Sequence, residues 1–425
     1  MSMFRSTDTD RRVFVSRLKG ACIIGQSGGP SAAINSSTYG VISEALKSED
    51  ITKVLAAEHG IVGVLNERLF DLGQEDEYEL ELLLNTPSSE LGSCRYMLEK
   101  EEDFGKILEV FRKHDVRYFF YNGGNDSMDT CLKVSEFLAA NNHECRVIGI
   151  PKTIDNDLVG TDHCPGFGSA AKYIATTFME VRKDTVVYDT GAITVIEVMG
   201  RNAGWLTGSS ALASKFGEGP DLVYLPEVAF DLKRFLDDIN ELYTKNGNVL
   251  IAASEGIHDE DGILISQYSM NADKVKKDMF GNVQLGGVAS YLAHEIKLYT
   301  NAKVRGIELS LLQRCARHIA SKTDLDEAYM TGKLAVESAL AGESGKMVGI
   351  ERRMVDGKYS AGYVLVPLAE AANFEKTVPL EWITPSLNNV TDEFIDYVLP
   401  LIQGEQECVL ENSLPRYSRL RKVFV

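Results

Sequence analysis

GACIIGQSGGPSAAIN (20–35) decides the fold. Its first seven residues, GACIIGQ (20–26), form an apolar run of the length of one strand buried on both faces, and a glycine-rich turn follows at once. Pro30 and Ser31 then open a helix expected to reach about Leu46, with proline in the first turn, where its missing N–H leaves no bond unmade. Strand, glycine turn and helix make the repeating unit of a parallel sheet covered by helices. The theme recurs outward from this unit. VRYFFYN (116–122) reads as a strand followed by a helix from about Asp126 to Ala139, CRVIGIP (145–151) as another strand, and AITVIEVMG (192–200) and NVLIAAS (248–254) as two more. The expected class is therefore α/β, with loops delivered at the carboxyl ends of strands, where open sheets of this kind bind ligands.

A chain of 425 residues has room for two or three cores. Hydrophobic residues at 44% and charged residues at 25% suit a water-soluble globular protein, and no apolar run approaches the length of a membrane span. The formal charge of -18 argues against nucleic acid or an anionic membrane as partner. Seven scattered cysteines without a CxxC pair point to reduced thiols and a cytoplasmic location. Residues 1–18 read as a polar leader without a signal core. GQEDEYELELLL (73–84) reads as a solvated helix with one apolar face, and the proline-bearing stretch after residue 375 as an irregular elaboration.

Six loops carry chemistry. The first, Gly25–Ser31, brings glycine N–H groups and a helix start to where an anion can sit; alone it equally suits a plain turn. In the second, Tyr121–Asp129, Gly123 and Gly124 allow close approach, and Asp126 suits either a hard cation or the cap of the next helix. The third, PKTIDND (151–157), clusters two carboxylates beside a lysine. Asp155 can take a proton from an attacking hydroxyl, Asp157 can orient a metal or its neighbours, and Lys152 can offset charge on a moving phosphoryl group; an Asx turn is the plainer reading. The fourth, MGRNAGW (199–205), offers Arg201 as a phosphate fork, and the fifth, SEG (254–256), offers Glu255 to sugar hydroxyls. The sixth, RGIELSLLQR (305–314), places Arg305 and Arg314 near the ends of an expected strand.

In order, GQSGGPSAAIN, LGSCRY, GGNDS, PKTIDND, MGRNAGWL, SEG, QLGGVASYLAHEI and RGIELSLLQR resemble the phosphofructokinase superfamily from about Lys19 to about Arg352. That resemblance implies two Rossmann-like lobes with the active site between them, and a homodimer or homotetramer. It divides the chain into a donor lobe (19–166 with 313–375), a sugar-phosphate lobe (167–312) and a C-terminal extension (376–425), for which an interfacial role is expected. Gly29, Arg95, Gly124, Asn125, Asp126 and Ser127 would hold the phosphoryl donor, with Asn125 and Asp126 at Mg²⁺. Thr153 and the base Asp155 would meet the acceptor hydroxyl. Met199, Gly200, Arg201 and Glu255 would surround the sugar phosphate, while Arg305 and Arg314 grip its 6-phosphate, one of them from a neighbouring subunit.

ATP-using members typically carry glycine where this chain has Asp126 and Lys152, so the resemblance is to the pyrophosphate-dependent branch. A carboxylate at 126 adds bulk and charge where a nucleotide's α-phosphate would lie, and Lys152 adds a cation for a donor without adenosine. The implied reaction moves a phosphoryl group from pyrophosphate to the 1-hydroxyl of fructose 6-phosphate, reversibly, in glycolysis and gluconeogenesis. An ATP-dependent kinase and a catalytically weak regulatory subunit are the alternatives. Three positions depart from the family pattern: Asn125 replaces a metal-binding Asp, Leu311 stands where a polar residue helps hold the 6-phosphate, and Ala192 stands where some tetramers supply an arginine.

Overall fold

A computed structural model describes residues 18–187, 189–268 and 287–425. Most of the polar leader and residues 284–286 of QLGGVASYLAHEI lie outside the described residues. Eleven strands build two sheets: β1 (Gly20–Gln26), β2 (Ile51–Ala57), β3 (Leu69–Asp71), β4 (Val116–Gly123), β5 (Arg146–Pro151), β6 (Ala192–Val198), β7 (Leu222–Tyr224), β8 (Asn248–Ser254), β9 (Val304–Glu308), β10 (Lys346–Val355) and β11 (Lys358–Pro367). The larger sheet has the order β11-β10-β5-β4-β1-β2-β3 and the smaller β7-β8-β6-β9. The smaller sheet is parallel throughout; the larger is parallel except at its two edges, where β3 and β11 run antiparallel to their neighbours. The α/β class expected from the sequence is therefore the one observed.

β1 is buried along its whole length because it lies between β2 and β4 with helices on both faces. The strand order reverses on either side of β1 in the larger sheet and of β6 in the smaller one. Each reversal opens a crevice at the carboxyl ends of adjacent strands. Both crevices feed one cavity, which positions the site.

Several local expectations change. The first helix spans Ile34–Ala45, starting later than Pro30; the Ser31 hydroxyl instead accepts the N–H groups of Ala33 and Ile34, at 3.3 and 3.1 Å, which keeps 27–33 free as a loop. Residues 73–84 do not form one helix. Asp71 and Asp76 each cap a separate short element, a 3₁₀ turn (Leu72–Gln74) and a helix (Glu77–Glu81), and a second 3₁₀ turn covers Leu82–Asn85. In RGIELSLLQR only Arg305–Glu308 is strand, and Arg314 lies in the helical turn Leu312–Cys315.

The C-terminal extension packs back onto its own chain. Helix Asp392–Val398 buries Phe394 in the core of the smaller sheet, where its ring stacks on Trp205 with centroids 5.9 Å apart. Further on, Ser418 donates its N–H to the Thr86 hydroxyl at 2.8 Å, and Phe424 meets Phe70 of β3 edge-on at 5.9 Å. These contacts fix the extension within the chain.

Candidate active site

A cavity of about 450 Å³ lies where the two crevices meet. From the larger sheet it receives the loops after β1, β4 and β5; from the smaller sheet, the loops after β6 and β8 and the turn carrying Arg314. The loops are stitched by their backbones. Ser27 N–H donates to the Asn122 carbonyl at 2.9 Å, and Lys152 N–H to the Gly123 carbonyl at 3.0 Å. The segment carrying Arg95 is tied to the first loop: Gly28 N–H donates to the Cys94 carbonyl at 3.0 Å, and Ser93 Oγ to the Gly28 carbonyl at 2.6 Å.

Two glycines here meet real constraints. Gly28 has a φ of 76°, which a side chain disfavours. A Cβ on Gly123 would stand 2.0 Å from Ser127 Oγ, so only glycine lets the helix Asn125–Ala140 start this close to β4. Gly124, by contrast, has room for a side chain, its nearest atom being the Lys152 carbonyl oxygen at 3.7 Å from the Cβ position.

Lys152 is 3% exposed, and its Nζ donates to the Gly29 carbonyl at 2.6 Å. Burial pushes its pKa down to about 8, with Arg314 and Arg95 adding to the shift and Asp155 opposing it. Asp155 is partly buried, and burial raises its pKa against the pull of Lys152. Burial and the charges of Asp155 and Glu375 push Asp157 up to about 7, and burial with repulsion from Asp155 does the same for Glu255. Glu255 also accepts the Gly200 N–H at 3.3 Å, which couples the fifth loop to the fourth. The site is a set of carboxylates crowded against Lys152, Arg95, Arg201 and Arg314, an arrangement that an anionic ligand with its cation would rebalance.

Gly29, Arg95, Gly124, Asn125, Asp126, Ser127, Lys152, Thr153, Asp155, Met199, Arg201, Glu255 and Arg314 all line the cavity, with Gly200 beside it. Arg314 stands against the first loop, its Nη1 lying 3.2 Å from where a Cβ on Gly29 would be. Two expected residues do not reach the cavity of their own chain. Arg305 points to Asp184, pairing at 2.6 Å, because it occupies the amino-terminal half of β9. Leu311 is 54% exposed outside it. Ala192, at the start of β6, is buried.

Sequence reasoning missed Glu375. It lines the cavity, accepts a hydrogen bond from Asn202 Nδ2 at 2.9 Å and bridges to Leu158 through its backbone. No motif marks it. Its charge works with burial to hold Asp157 up, and it opposes Lys152 at Asp155. Removing a nearby negative charge favours ionisation, so Glu375→Gln should lower both carboxyl pKa values. The acid limb of the pH–rate profile should then move to lower pH; an unmoved limb would detach Glu375 from these groups.

A cation site is tested by the oxygen donors. Asn125 Oδ1 is buried with no hydrogen-bond partner among the described residues, as an oxygen kept for a hard cation would be. No group of three or more His, Cys, Asp or Glu side chains among the described residues is arranged to ligate a metal.

The phosphofructokinase family matches residues 21–337. The chain belongs to that family. Among similar proteins, pyrophosphate–fructose 6-phosphate 1-phosphotransferase of Halomonas elongata is 44% identical over 406 residues, 93% of this chain and 95% of the relative. The enzyme of the same name from Xanthomonas campestris is 42% identical over 417 residues, covering 96% and 97%. The crystal structure of a pyrophosphate-dependent phosphofructokinase from Marinobacter aquaeolei superposes with a TM-score of 0.86 at 38% identity, covering 96% of this chain and 97% of that one. The family match ends before the cavity residue Glu375, whereas the similarity to the two named relatives spans 93% and 96% of this chain. Among the described residues, no helix is long and apolar enough to cross a membrane.

Proposed function

We propose that this phosphofructokinase transfers a phosphoryl group from pyrophosphate to the 1-hydroxyl of fructose 6-phosphate, giving fructose 1,6-bisphosphate and phosphate. The observation that carries the donor choice is Lys152, a buried ammonium inside the cavity, anchored to the Gly29 carbonyl beside the glycine loop. It supplies a fixed positive charge to a donor that lacks the binding energy of a nucleoside. Relatives of nearly full-length similarity bear the corresponding name.

In this reading Gly29, Arg95, Gly124 and Ser127 hold pyrophosphate, with Lys152 against the group in transfer. Mg²⁺, held by Asn125 and Asp126 together with donor oxygens, would screen the phosphate charges. Thr153 and Asp155 meet the acceptor: Asp155 accepts the proton of the 1-hydroxyl as the oxygen attacks in line, and no phosphoenzyme forms. Burial helps here, because a carboxylate with a raised pKa is the stronger base. Met199, Gly200, Arg201 and Glu255 orient the sugar. Arg314, whose guanidinium stands against Gly29, grips the 6-phosphate from within the cavity in this reading. Because cleaving pyrophosphate releases free energy comparable to that stored in the product ester, the reaction runs in both directions.

Arg305 and Leu311 lie outside the cavity of their own chain, which favours a homodimer or homotetramer in which a second copy completes the 6-phosphate grip. The deciding experiment measures initial rates with fructose 6-phosphate and Mg²⁺, comparing pyrophosphate with ATP. Turnover with pyrophosphate alone is expected. Turnover with ATP alone would overturn the donor assignment, and none with either would favour a regulatory role.

A further inference from the structure

The turn that carries Asp155 and Asp157 pivots on Asn156, which is fully buried and has a φ of 57°. Asparagine tolerates this left-handed backbone better than most residues, yet the conformation still has to be held by its surroundings. Both ends of the side chain are engaged. Oδ1 accepts the Cys164 N–H at 2.9 Å, and Nδ2 donates to the Tyr397 phenol oxygen at 3.0 Å. The Tyr397 O–H donates to the Asp162 carbonyl at 2.6 Å, so the phenol oxygen is fixed as acceptor towards Asn156.

The ring of Tyr397 is held as firmly. It packs between Trp205 and Trp382, with centroids 5.2 and 5.3 Å away, and the Arg352 guanidinium covers it at 4.6 Å. Arg352 also donates to the Tyr397 carbonyl at 3.0 Å and to the Asp162 carboxylate at 3.1 Å. Behind Asp162, His163 bridges to Glu327 through hydrogen bonds of 2.8 and 2.6 Å. Tyr397 thus ends a rigid polar chain that arrives at the turn between the two cavity aspartates. It belongs to helix Asp392–Val398, beyond the segment that the family match covers.

We propose that Tyr397 is a positioning residue for phosphoryl transfer, setting the 155–157 turn through Asn156 so that both carboxylates face the cavity. This rests on the reaction assigned above. The C-terminal extension thereby acts on the chemistry as well as on stability, although none of its side chains needs to touch substrate.

The test is steady-state kinetics with pyrophosphate, fructose 6-phosphate and Mg²⁺ on Tyr397→Phe, which keeps the ring contacts and removes the hydroxyl. A displaced catalytic group loses rate steeply, so kcat is expected to fall about ten- to a hundredfold. Both KM values should stay within about twofold of wild type. Asn156→Gly keeps the left-handed backbone and should show the same split, and the double variant should be no slower than Asn156→Gly alone. Phe394→Leu, from the same helix, should lower the melting temperature without lowering kcat.

An unchanged kcat in Tyr397→Phe, additive losses in the double variant, or an equal kcat loss in Phe394→Leu would each overturn the proposal. Should Tyr397→Phe fail to fold, a normal kcat in Asn156→Gly overturns it. A wild-type protein that turns over only ATP would instead sink the donor assignment, and the same variant comparison with ATP would then decide the positioning role.

Discussion

Asp155→Asn is expected to lower kcat by about 10²–10⁴-fold while leaving the fold intact, because it removes the group that accepts the hydroxyl proton. The amide keeps the size of the carboxylate, so the partly buried position is not opened. Stability should not fall, and the sign follows from linkage. Burial holds the Asp155 pKa above its unfolded value, so its charged form is disfavoured in the folded protein and its ionisation opposes folding as pH rises above the unfolded pKa. A neutral replacement removes that penalty at neutral pH. Thermal melting and turnover measured together at pH 7.5 check both halves. A kcat within a few fold of wild type would exclude Asp155 as the base, and a large fall in melting temperature would recast it as structural.

Lys152→Gly is expected to reduce kcat/KM for pyrophosphate by about 10²–10³-fold, the scale on which losing one electrostatic contact to a transition state is felt. The wild-type profile carries a matching signature. A lysine with its pKa depressed to about 8 is charged below that pH and loses its proton as pH rises through it. Since kcat/KM reports the free enzyme, it should fall on the alkaline side of about 8. The kcat profile should hold to higher pH, because a bound polyanion favours the ammonium. Measuring both profiles at fixed Mg²⁺ checks this. A flat kcat/KM between pH 7 and 9.5 would mean that the ammonium is not what receives the donor.

Much of the site was legible because its residues cluster at strand ends, where apolar runs meet glycine. GACIIGQ, VRYFFYN and NVLIAAS mark β1, β4 and β8 within a residue, since each is a short, mostly apolar run buried along nearly its whole length. β10 was not legible. Its outer half, with Glu351, Arg352 and Arg353, leaves the sheet core and pairs only with β11, so its pattern resembles a surface loop. Glu375 and Tyr397 were hidden for another reason. Their contacts with Asn202 and Asn156 span 173 and 241 residues, and no local pattern encodes a pairing that distant. Arg305 and Leu311 carry a third kind of gap, since whatever they complete is not in the cavity of their own chain.

The pairing of β3 with residues 423–425 has a consequence for how the protein is made. Asp71 N–H donates to the Val423 carbonyl and Val425 N–H to the Leu69 carbonyl, both at 3.0 Å, so the outer rim of the larger sheet is sealed by a segment roughly 350 residues later in the chain. At about 5–20 residues per second of synthesis, that rim stays open for roughly 20–70 s after β3 has emerged. An uncovered strand rim is a template for adding a foreign strand. The newborn chain is therefore exposed to aggregation from the emergence of β3 until synthesis ends, and changes near residue 424 should show first in soluble yield, before any change in the catalytic constants of the molecules that fold.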